Sequence, residues 1–391
     1  MERTAVIGVG QTKHKAQRTD VSIAGLVREA ARKALDDAEL DWGDIDAVVL
    51  GKAPDMFEGV AMPELYLADA LGAVGKPMMR VHTAGSVGGS TALVGASLIQ
   101  AGIHRRVLVC AFEKQSESNA TWALTVSQPF QAPLVAGAGG FFAPLIRSYM
   151  RRSGAPDHIG MLVAVKDRLH ALRNPYAHLK LEGIDLAMVE ASPMLWEPLR
   201  YLETCPSSDG ACAMVLAGED AAKQSPRPPA WVHGAAMRSE PTMFAGRDQV
   251  SPRAGRDCAA EVYRQAGIIE PRRDLDCAEV YVPFSWFEPM WLENLDFAPR
   301  ATAGSSPNWA LPRRAGTFPG IRPAACSPPT RSVPPACSGS PRRPSRCAAR
   351  PADARWTALG WRSATPTVAV RSSSRCGWSA PPSPEDPNRP R

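Results

Sequence analysis

Short apolar runs rich in β-branched residues alternate with amphipathic helical stretches over the first 300 residues, and this alternation limits what the chain can fold into. Residues 5–9 are typical of a buried strand, and residues 45–50 of the next one. Between them, apolar residues recur at helical spacing over 22–38. Strand, helix and strand in this order predict an α/β fold.

The same order recurs later in the chain. A helical stretch through 258–266 leads, after an Ile and a Leu-Asp pair, to a strand at 277–282. In the first part, the helix ending at Ala38 leads in the same way, after a Leu and an Ile-Asp pair, to the strand at 47–50. We therefore expect two similar α/β halves with a ligand cleft between them.

Residues 301–391 have a different composition from the rest of the chain. They contain 14 Arg, no Lys, 17 Pro, 15 Ala and 13 Ser, but only seven Ile, Leu, Val or Phe residues. Their net charge is +11, against −5 for residues 1–300. Because a segment with so few large apolar residues does not bury a core, we expect it to be disordered and to form no regular layer.

Composition also excludes several classes of protein. The longest apolar stretch, 133–146, is shorter than a membrane helix and is interrupted by glycines. No signal peptide's apolar core follows the amino terminus, so we expect a cytoplasmic protein with no membrane partner. The nine cysteines show no CxxC spacing, which predicts neither a metal site nor a disulfide framework. The acidic first 300 residues give no support to nucleic-acid binding.

A turn of small residues at 84–90 leads into an apolar helix that runs to Ala101. Glycines leave backbone N–H groups accessible, and the start of a helix carries partial positive charge. Such a turn can hold a nucleophile, a thioester carbonyl or a phosphate.

Four segments that occur in order along the chain carry a family resemblance. They are Gly89-Ser90-Thr91-Ala92-Leu93, Asn174-Pro175-Tyr176-Ala177, Ser208-Asp209-Gly210-Ala211 and Ala278-Glu279-Val280-Tyr281-Val282-Pro283-Phe284-Ser285. Over residues 1 to about 298 the chain resembles the thiolase superfamily, and more narrowly its sterol-carrier and lipid-transfer branch. The resemblance implies a five-layered α-β-α-β-α fold of two similar halves. It also implies a homodimer that binds acyl-coenzyme A, with coenzyme A as part of the substrate and no permanently bound cofactor.

The chain departs from the family at the expected nucleophile. A working thiolase has a Cys in the first turn, and alignment back from Leu93 places Ser86 there. A Ser hydroxyl needs a dedicated general base to attack a ketone, whereas a thiol is activated easily. Ser86 is therefore either a nucleophile or a small residue that fits a tight turn, and we favour the second interpretation.

Tyr281 is the second departure, because the sterol-carrier branch has a His at this place. A phenol can donate a hydrogen bond, or relay a proton if its pKa is lowered. Cleavage of a β-hydroxyacyl thioester needs no covalent acyl-enzyme, only removal of the hydroxyl proton and stabilisation of the enolate. We therefore expect retro-aldol chemistry rather than thiolysis, with Tyr281 either catalytic or a half-buried residue of a strand.

The resemblance also points to substrate-binding residues. His82 precedes the turn and either faces the cleft or makes a structural hydrogen bond. Two basic patches, 147–152 and 166–173, either contact coenzyme A phosphates or form solvated helix faces. The substrate-binding residues expected from the resemblance are His82, Gly88, Gly89, Ser90, Phe284, Lys166, Arg168 and Arg173.

The resemblance stops at Pro299. When residues 300–391 are read one base out of frame, 321–326 yields Asn-Pro-Ser-Gly-Gly-Val and 364–372 yields Gly-His-Ala-Tyr-Gly-Gly-Gly-Ser-Gln, which are segments the family has. We therefore hypothesise a one-base frameshift near Pro299, which leaves the C-terminal half incomplete and the chain as written poorly stable and inactive. The expected divisions are an N-terminal half at 1–225, an inserted loop subdomain at 115–200, the start of the C-terminal half at 226–298 and an aberrant segment at 299–391.

The expected function is that of an acyl-CoA protein that breaks or makes a carbon–carbon bond beside a thioester of a lipid or sterol side chain. Two alternatives stay open. The first is a non-catalytic lipid or acyl-CoA carrier, which the missing Cys favours. The second is a partner subunit whose cleft is completed by another chain, such as a small acyl-CoA-binding protein.

Overall fold

A computed structural model of the protein describes residues 2–53, 57–125, 137–241, 246–276 and 278–299, and the backbone of three later strands. Its strands are β1 (Thr4–Gln11), β2 (Ala47–Gly51), β3 (Met78–Val81), β4 (Arg106–Lys114), β5 (Met194–Trp196), β6 (Leu199–Arg200), β7 (Asp209–Gly218), β8 (Ala230–Ala236), β9 (Glu279–Val280), β10 (Arg322–Pro323), β11 (Ala354–Leu359) and β12 (Thr367–Ser372). Its helices are α1 (Ile23–Ala38), α2 (Glu64–Leu67), α3 (Val87–Gln100), α4 (Ala120–Ala123), α5 (Gly137–Ser153), α6 (His158–Ala171), α7 (Leu186–Ala191), α8 (Glu219–Lys223), α9 (Arg253–Ala266), α10 (Pro271–Asp274) and α11 (Phe287–Asn294).

Helix α1 covers the first strand closely. Its N-cap is Ser22, whose hydroxyl accepts the N–H of Gly25 at 3.1 Å. Its buried face consists of Ala, Leu and Val residues, and it lies so near β1 that a Cβ added to Gly10 would stand 2.1 Å from the carbonyl oxygen of Ala30. The glycines of β1 are therefore required by this close approach.

Ten strands form one sheet in the order β10-β9-β11-β12-β8-β1-β7-β4-β2-β3. In the first half, β2 is parallel to β3 and β4, while β7 is antiparallel to both β4 and β1. In the second half, β9 is parallel to β10 and β11, while β12 is antiparallel to both β11 and β8. The two halves thus have the same strand order and directions and meet where β1 pairs with β8. The expected repeat of two similar α/β halves is confirmed.

The strands after residue 300 correct one expectation. We expected residues beyond about 300 to form no regular layer, yet β10, β11 and β12 take strand positions of the second half. Strand pairing depends on backbone N–H and C=O groups, which the edges of β8 and β9 offer to any extended segment. The Thr-Val-Ala-Val run of β12 has high β propensity and suits this place. Within the described residues, β9 and β10 have two residues each.

The segment between β4 and β7 contains α4 to α7 and the small hairpin of β5 and β6. Its helices α5 and α6 contribute to a core cluster with the aromatic residues of α11. A second cluster lies between α1 and the first-half sheet. In the part of the chain that the structure describes, no helix is long and apolar enough to cross a membrane.

The strand directions fix where a site can form. Strands β1, β2, β3 and β4 point the same way, so their carboxyl ends lie at one edge of the sheet. The small-residue turn follows β3 at this edge. Ligand sites of open α/β sheets are found at such an edge.

Candidate functional site

The small-residue turn is tight and held by hydroxyl groups. Ala84–Ser86 forms a single 3₁₀ turn, with Ala84 in the left-handed region at φ +49°, and α3 begins at the next residue. The buried hydroxyl of Ser86 donates to the carbonyl oxygen of Thr83 at 2.8 Å, and the hydroxyls of Thr83 and Ser90 are 2.6 Å apart. These bonds close the turn on itself.

The start of α3 is accessible on one side. Gly88 in its first turn is exposed, and a Cβ added there would meet no atom within 4 Å. The first N–H groups of a helix have no partner within the helix, and they carry partial positive charge. This end of α3 can therefore stabilise an oxyanion, such as the enolate oxygen of a thioester.

The opposite side of α3 packs tightly on β2. Gly51, the last residue of β2, lies so near the helix that an added Cβ would be 2.2 Å from Thr91 Oγ1. The Thr91 hydroxyl donates to the carbonyl oxygen of Val87 at 2.7 Å. The position of α3 is thus fixed by the end of β2.

Beside this contact lies a group of three charged side chains, the Lys52 bridge, formed by the buried Lys52 and Glu58 and the half-buried Glu113. The Lys52 ammonium is 2.6 Å from Glu58 Oε2 and 2.7 Å from Glu113 Oε2. Glu113 Oε1 also accepts the N–H of Ala53 at 2.6 Å, and Glu58 Oε1 accepts the N–H of Lys114 at 2.5 Å. Burial raises the pKa of Glu113 to about 8, with a further contribution from Glu58 and opposition from Lys52.

Sequence reasoning missed the Lys52 bridge. Its members are 6 and 55 residues apart and follow no motif spacing. One signal was available, because Lys52 directly follows the continuous apolar run of β2, and a Lys so near a buried strand needs partners.

The other substrate-binding residues expected around the turn lie close to it but differ in burial. Ser90 is buried and donates to the carbonyl oxygen of Ser86 at 3.1 Å. Gly89 is half-buried in the first turn of α3, while His82 is exposed directly after β3. The structure therefore groups His82, Gly88, Gly89 and Ser90 with Ser86, and their roles as substrate-binding residues stay predictions.

Tyr281 directly follows β9 and is half-buried against the core cluster of α5 and α11. Its carbonyl oxygen accepts the indole N–H of Trp291 at 3.0 Å. Two residues on, the carbonyl oxygen of Pro283 accepts the N–H of Cys205 at 3.0 Å. Because these backbone bonds fix the segment, Tyr281 has a defined place at the end of β9, and its catalytic role stays a prediction.

Phe284 lies in the core. Its ring centroid is 5.8 Å from that of Phe142 and 6.2 Å from that of Phe287, and the side chain is buried. Next to it, Ser285 donates its hydroxyl to Glu203 Oε1 at 3.0 Å, in surroundings where burial raises the pKa of Glu203. Phe284 as described contributes to packing, and contact with a substrate stays a prediction.

The three basic residues expected to contact phosphates differ in exposure. Lys166 is buried, its ammonium pairs with both carboxylate oxygens of Glu288, and Asp167 Oδ1 lies 3.5 Å away. Arg168 is half-buried and donates to the carbonyl oxygens of Leu202 and Thr204. Arg173 is exposed. Arg173 is therefore the most solvent-exposed of the three residues.

Among the described residues, no cluster of three or more His, Cys, Asp and Glu side chains could hold a metal ion.

Known proteins resemble this chain over most of its length. A steroid side-chain-cleaving aldolase from Thermomonospora curvata is 30% identical over 325 residues, which cover 76% of this chain and 79% of the relative. An acetyl-CoA acetyltransferase from Methanothermobacter thermautotrophicus is 27% identical over 327 residues, 82% of this chain and 84% of the relative. No family model matches the chain.

A solved structure agrees with these relatives. The structure described as the Ltp2-ChsH2(DUF35) aldolase superposes with a TM-score of 0.67 at 27% identity, covering 78% of this chain and 79% of that one. Together with the repeated strand order, this similarity confirms the expected fold class. The chain belongs to the thiolase superfamily, in its sterol-carrier and lipid-transfer branch.

Proposed function

We propose that this protein cleaves the carbon–carbon bond of a β-hydroxyacyl-CoA by a retro-aldol reaction, with a lipid or sterol side chain as the acyl group. The observation that carries the proposal is the residue at the turn, where a Ser whose hydroxyl donates to a backbone carbonyl replaces the thiolase Cys. The similarity to a steroid side-chain-cleaving aldolase supports the same reaction.

The chemistry needs a base, a site for an oxyanion and a proton donor. The β-hydroxyl loses its proton, the bond between Cα and Cβ breaks, and the β-carbon becomes a ketone. The electron pair moves into the thioester, whose enolate then takes a proton at Cα. The accessible start of α3 near Gly88 suits the enolate oxygen, and Tyr281 is the group we assign to proton transfer.

The reading frame of the carboxyl-terminal segment has to be established before the activity is tested. We propose that residues 300–391 are read one base out of frame, so that the native chain ends in the thiolase segments recovered from the shifted reading. Resequencing across codons 295–305 decides this. An unshifted frame in independent reads would reject it.

The frame-restored protein is then given two substrates in separate assays. One assay contains acetoacetyl-CoA with coenzyme A, and the other a β-hydroxyacyl-CoA with a tertiary β-carbon. Release of a ketone without thiolysis supports the proposal. Thiolysis would assign the protein to the acyltransferases, and tight binding without turnover would favour an acyl-CoA carrier.

Two further assignments belong to the same proposal. We assign the protein to the cytoplasm, with no membrane or nucleic-acid partner. We also propose a homodimer or a complex with a small acyl-CoA-binding subunit. The edge position of β3, with Met79 exposed on it, supports a homodimer, and the partner complex of the aldolase structure supports the second subunit. Light scattering of the protein alone and with such a subunit separates the two assemblies.

A further inference from the structure

The Lys52 bridge ties three pieces of backbone together at the carboxyl edge of the sheet. Lys52 and Ala53 directly follow β2, Glu58 lies further along the same loop, and β4 ends with Glu113 and Lys114. Each carboxylate uses one oxygen for the Lys52 ammonium and the other for a backbone N–H. The bridge therefore locks the two described ends of the loop after β2, residues 52–53 and 57–58, onto the end of β4.

We propose that Lys52, Glu58 and Glu113 are positioning residues that hold the Ser86 turn in place for the reacting end of an acyl thioester. This inference rests on the proposed function, because that function places the thioester at the turn. None of the three side chains need touch the substrate, since their effect passes through the loop that they lock.

Apolar contacts connect the bridge to the turn. Ala53 and Phe57 of the locked loop form a buried cluster with Val87, the residue directly after Ser86, and with Ala123. The backbone N–H of Lys52 also donates to the carbonyl oxygen of Val81 at 3.2 Å, at the end of β3. A shift of the locked loop would therefore move both ends of the turn.

The protonation state of Glu113 determines whether its carboxyl group makes both of its contacts in the bridge. In the geometry described, both Glu113 oxygens accept from N–H groups, so a proton on this carboxyl removes one of the two contacts. Because burial raises the pKa of Glu113 to about 8, the bridge is complete above this pH and loses a contact below it. The charged groups that face Glu113 are Lys52 and Glu58, while the nearby Lys114 ammonium pairs with Glu117.

The test compares the Glu113→Gln variant of the frame-restored protein with the frame-restored wild-type sequence between pH 6.5 and 9. We expect wild-type acetyl-CoA binding to tighten about tenfold as the pH rises through 8, the effect of about one charge-assisted hydrogen bond. Hydrogen exchange over residues 81–91, corrected for the intrinsic pH dependence, should slow over the same range. The amide that replaces the carboxyl in this variant does not titrate, so both changes should disappear. Glu117→Gln is the matched control, since its exposed carboxyl lies outside the bridge, and it should behave as wild type.

Wild-type pH dependence in the Glu113→Gln variant would overturn the proposal. If this variant does not fold, exchange of the Ala53 amide in the wild-type protein decides instead. That amide should become more protected through pH 8, and constant protection would overturn the proposal. If acetyl-CoA fails to bind the frame-restored protein at any pH, the proposed function fails, while the exchange measurement still tests the bridge.

Discussion

The hydroxyl of Ser86 donates a hydrogen bond to the carbonyl oxygen of Thr83 at 2.8 Å, inside the turn that precedes α3. A carbonyl oxygen accepts a hydrogen bond but does not remove the proton, so this contact orients the hydroxyl without activating it as a nucleophile. The bond closes the turn and supports the interpretation of Ser86 as a small structural residue.

Replacement of Ser86 by Ala should therefore leave retro-aldol cleavage within about threefold of wild type, because the variant loses one turn hydrogen bond and no reacting group. The measurement is ketone release from a β-hydroxyacyl-CoA by the frame-restored protein. Ser97→Ala is a matched control, since the exposed Ser97 hydroxyl donates to the carbonyl oxygen of Leu93 on the same helix at 2.8 Å. A rate more than about a thousandfold lower in Ser86→Ala alone would identify Ser86 as a nucleophile.

Tyr281→Phe should abolish cleavage, with a loss of about 10²- to 10⁴-fold in kcat, because the phenol is the group that we assign to proton transfer. Acetyl-CoA affinity should change little, since the ring and its packing remain. Tyr201→Phe is the control, because Tyr201 is exposed in the nearby turn after β6. Equal rates for Tyr281→Phe and wild type would remove Tyr281 from the mechanism.

Local patterning predicted the first half of the fold well. The strand expected at 5–9 is β1, and the helix expected at 22–38 is α1, because the almost fully buried strand and the apolar face of the helix both pack into one large core. The edge strand β3 was not predicted. Its four residues are at most half-buried, so burial leaves no regular apolar pattern in them.

The second half and the site were less predictable. Of the described residues in the strand expected at 277–282, only Glu279–Val280 form β9. Cys277 lies outside the described residues. The turn residues were found because glycines and serines concentrate there, whereas the Lys52 bridge joins residues far apart in sequence. Such a group exists only once the sheet has brought β2 and β4 together.

At pH 8, above the pKa of Glu288, Lys166→Met should destabilise the protein by about 3–5 kcal/mol, because it leaves the Glu288 carboxyl buried without its ammonium partner. Urea unfolding of the full chain measures the change. Arg253→Met is the control, since Arg253 and Asp257 form an exposed pair on α9, and such pairs contribute about 0–1 kcal/mol. The double variant Lys166→Met/Glu288→Gln should recover part of the loss. If the single and double variants are equally stable, the buried charge is not the cause.

The same carboxyl predicts a pH dependence of stability. Burial raises the pKa of Glu288 to about 7, from an ordinary value near 4.5, so folding disfavours its ionised form. The folded protein then binds a proton that the unfolded chain has released. Its stability should therefore fall as the pH rises from about 4.5 through 7. Glu288→Gln should weaken the pH dependence of the thermal unfolding temperature measured between pH 5 and 8. Glu261→Gln should not, because its partners Arg264 and Gln265 lower the pKa of Glu261 to about 2, outside this range. A wild-type unfolding temperature that rises steadily from pH 5 to 8, unchanged in slope by Glu288→Gln, would show that Glu288 is ionised throughout.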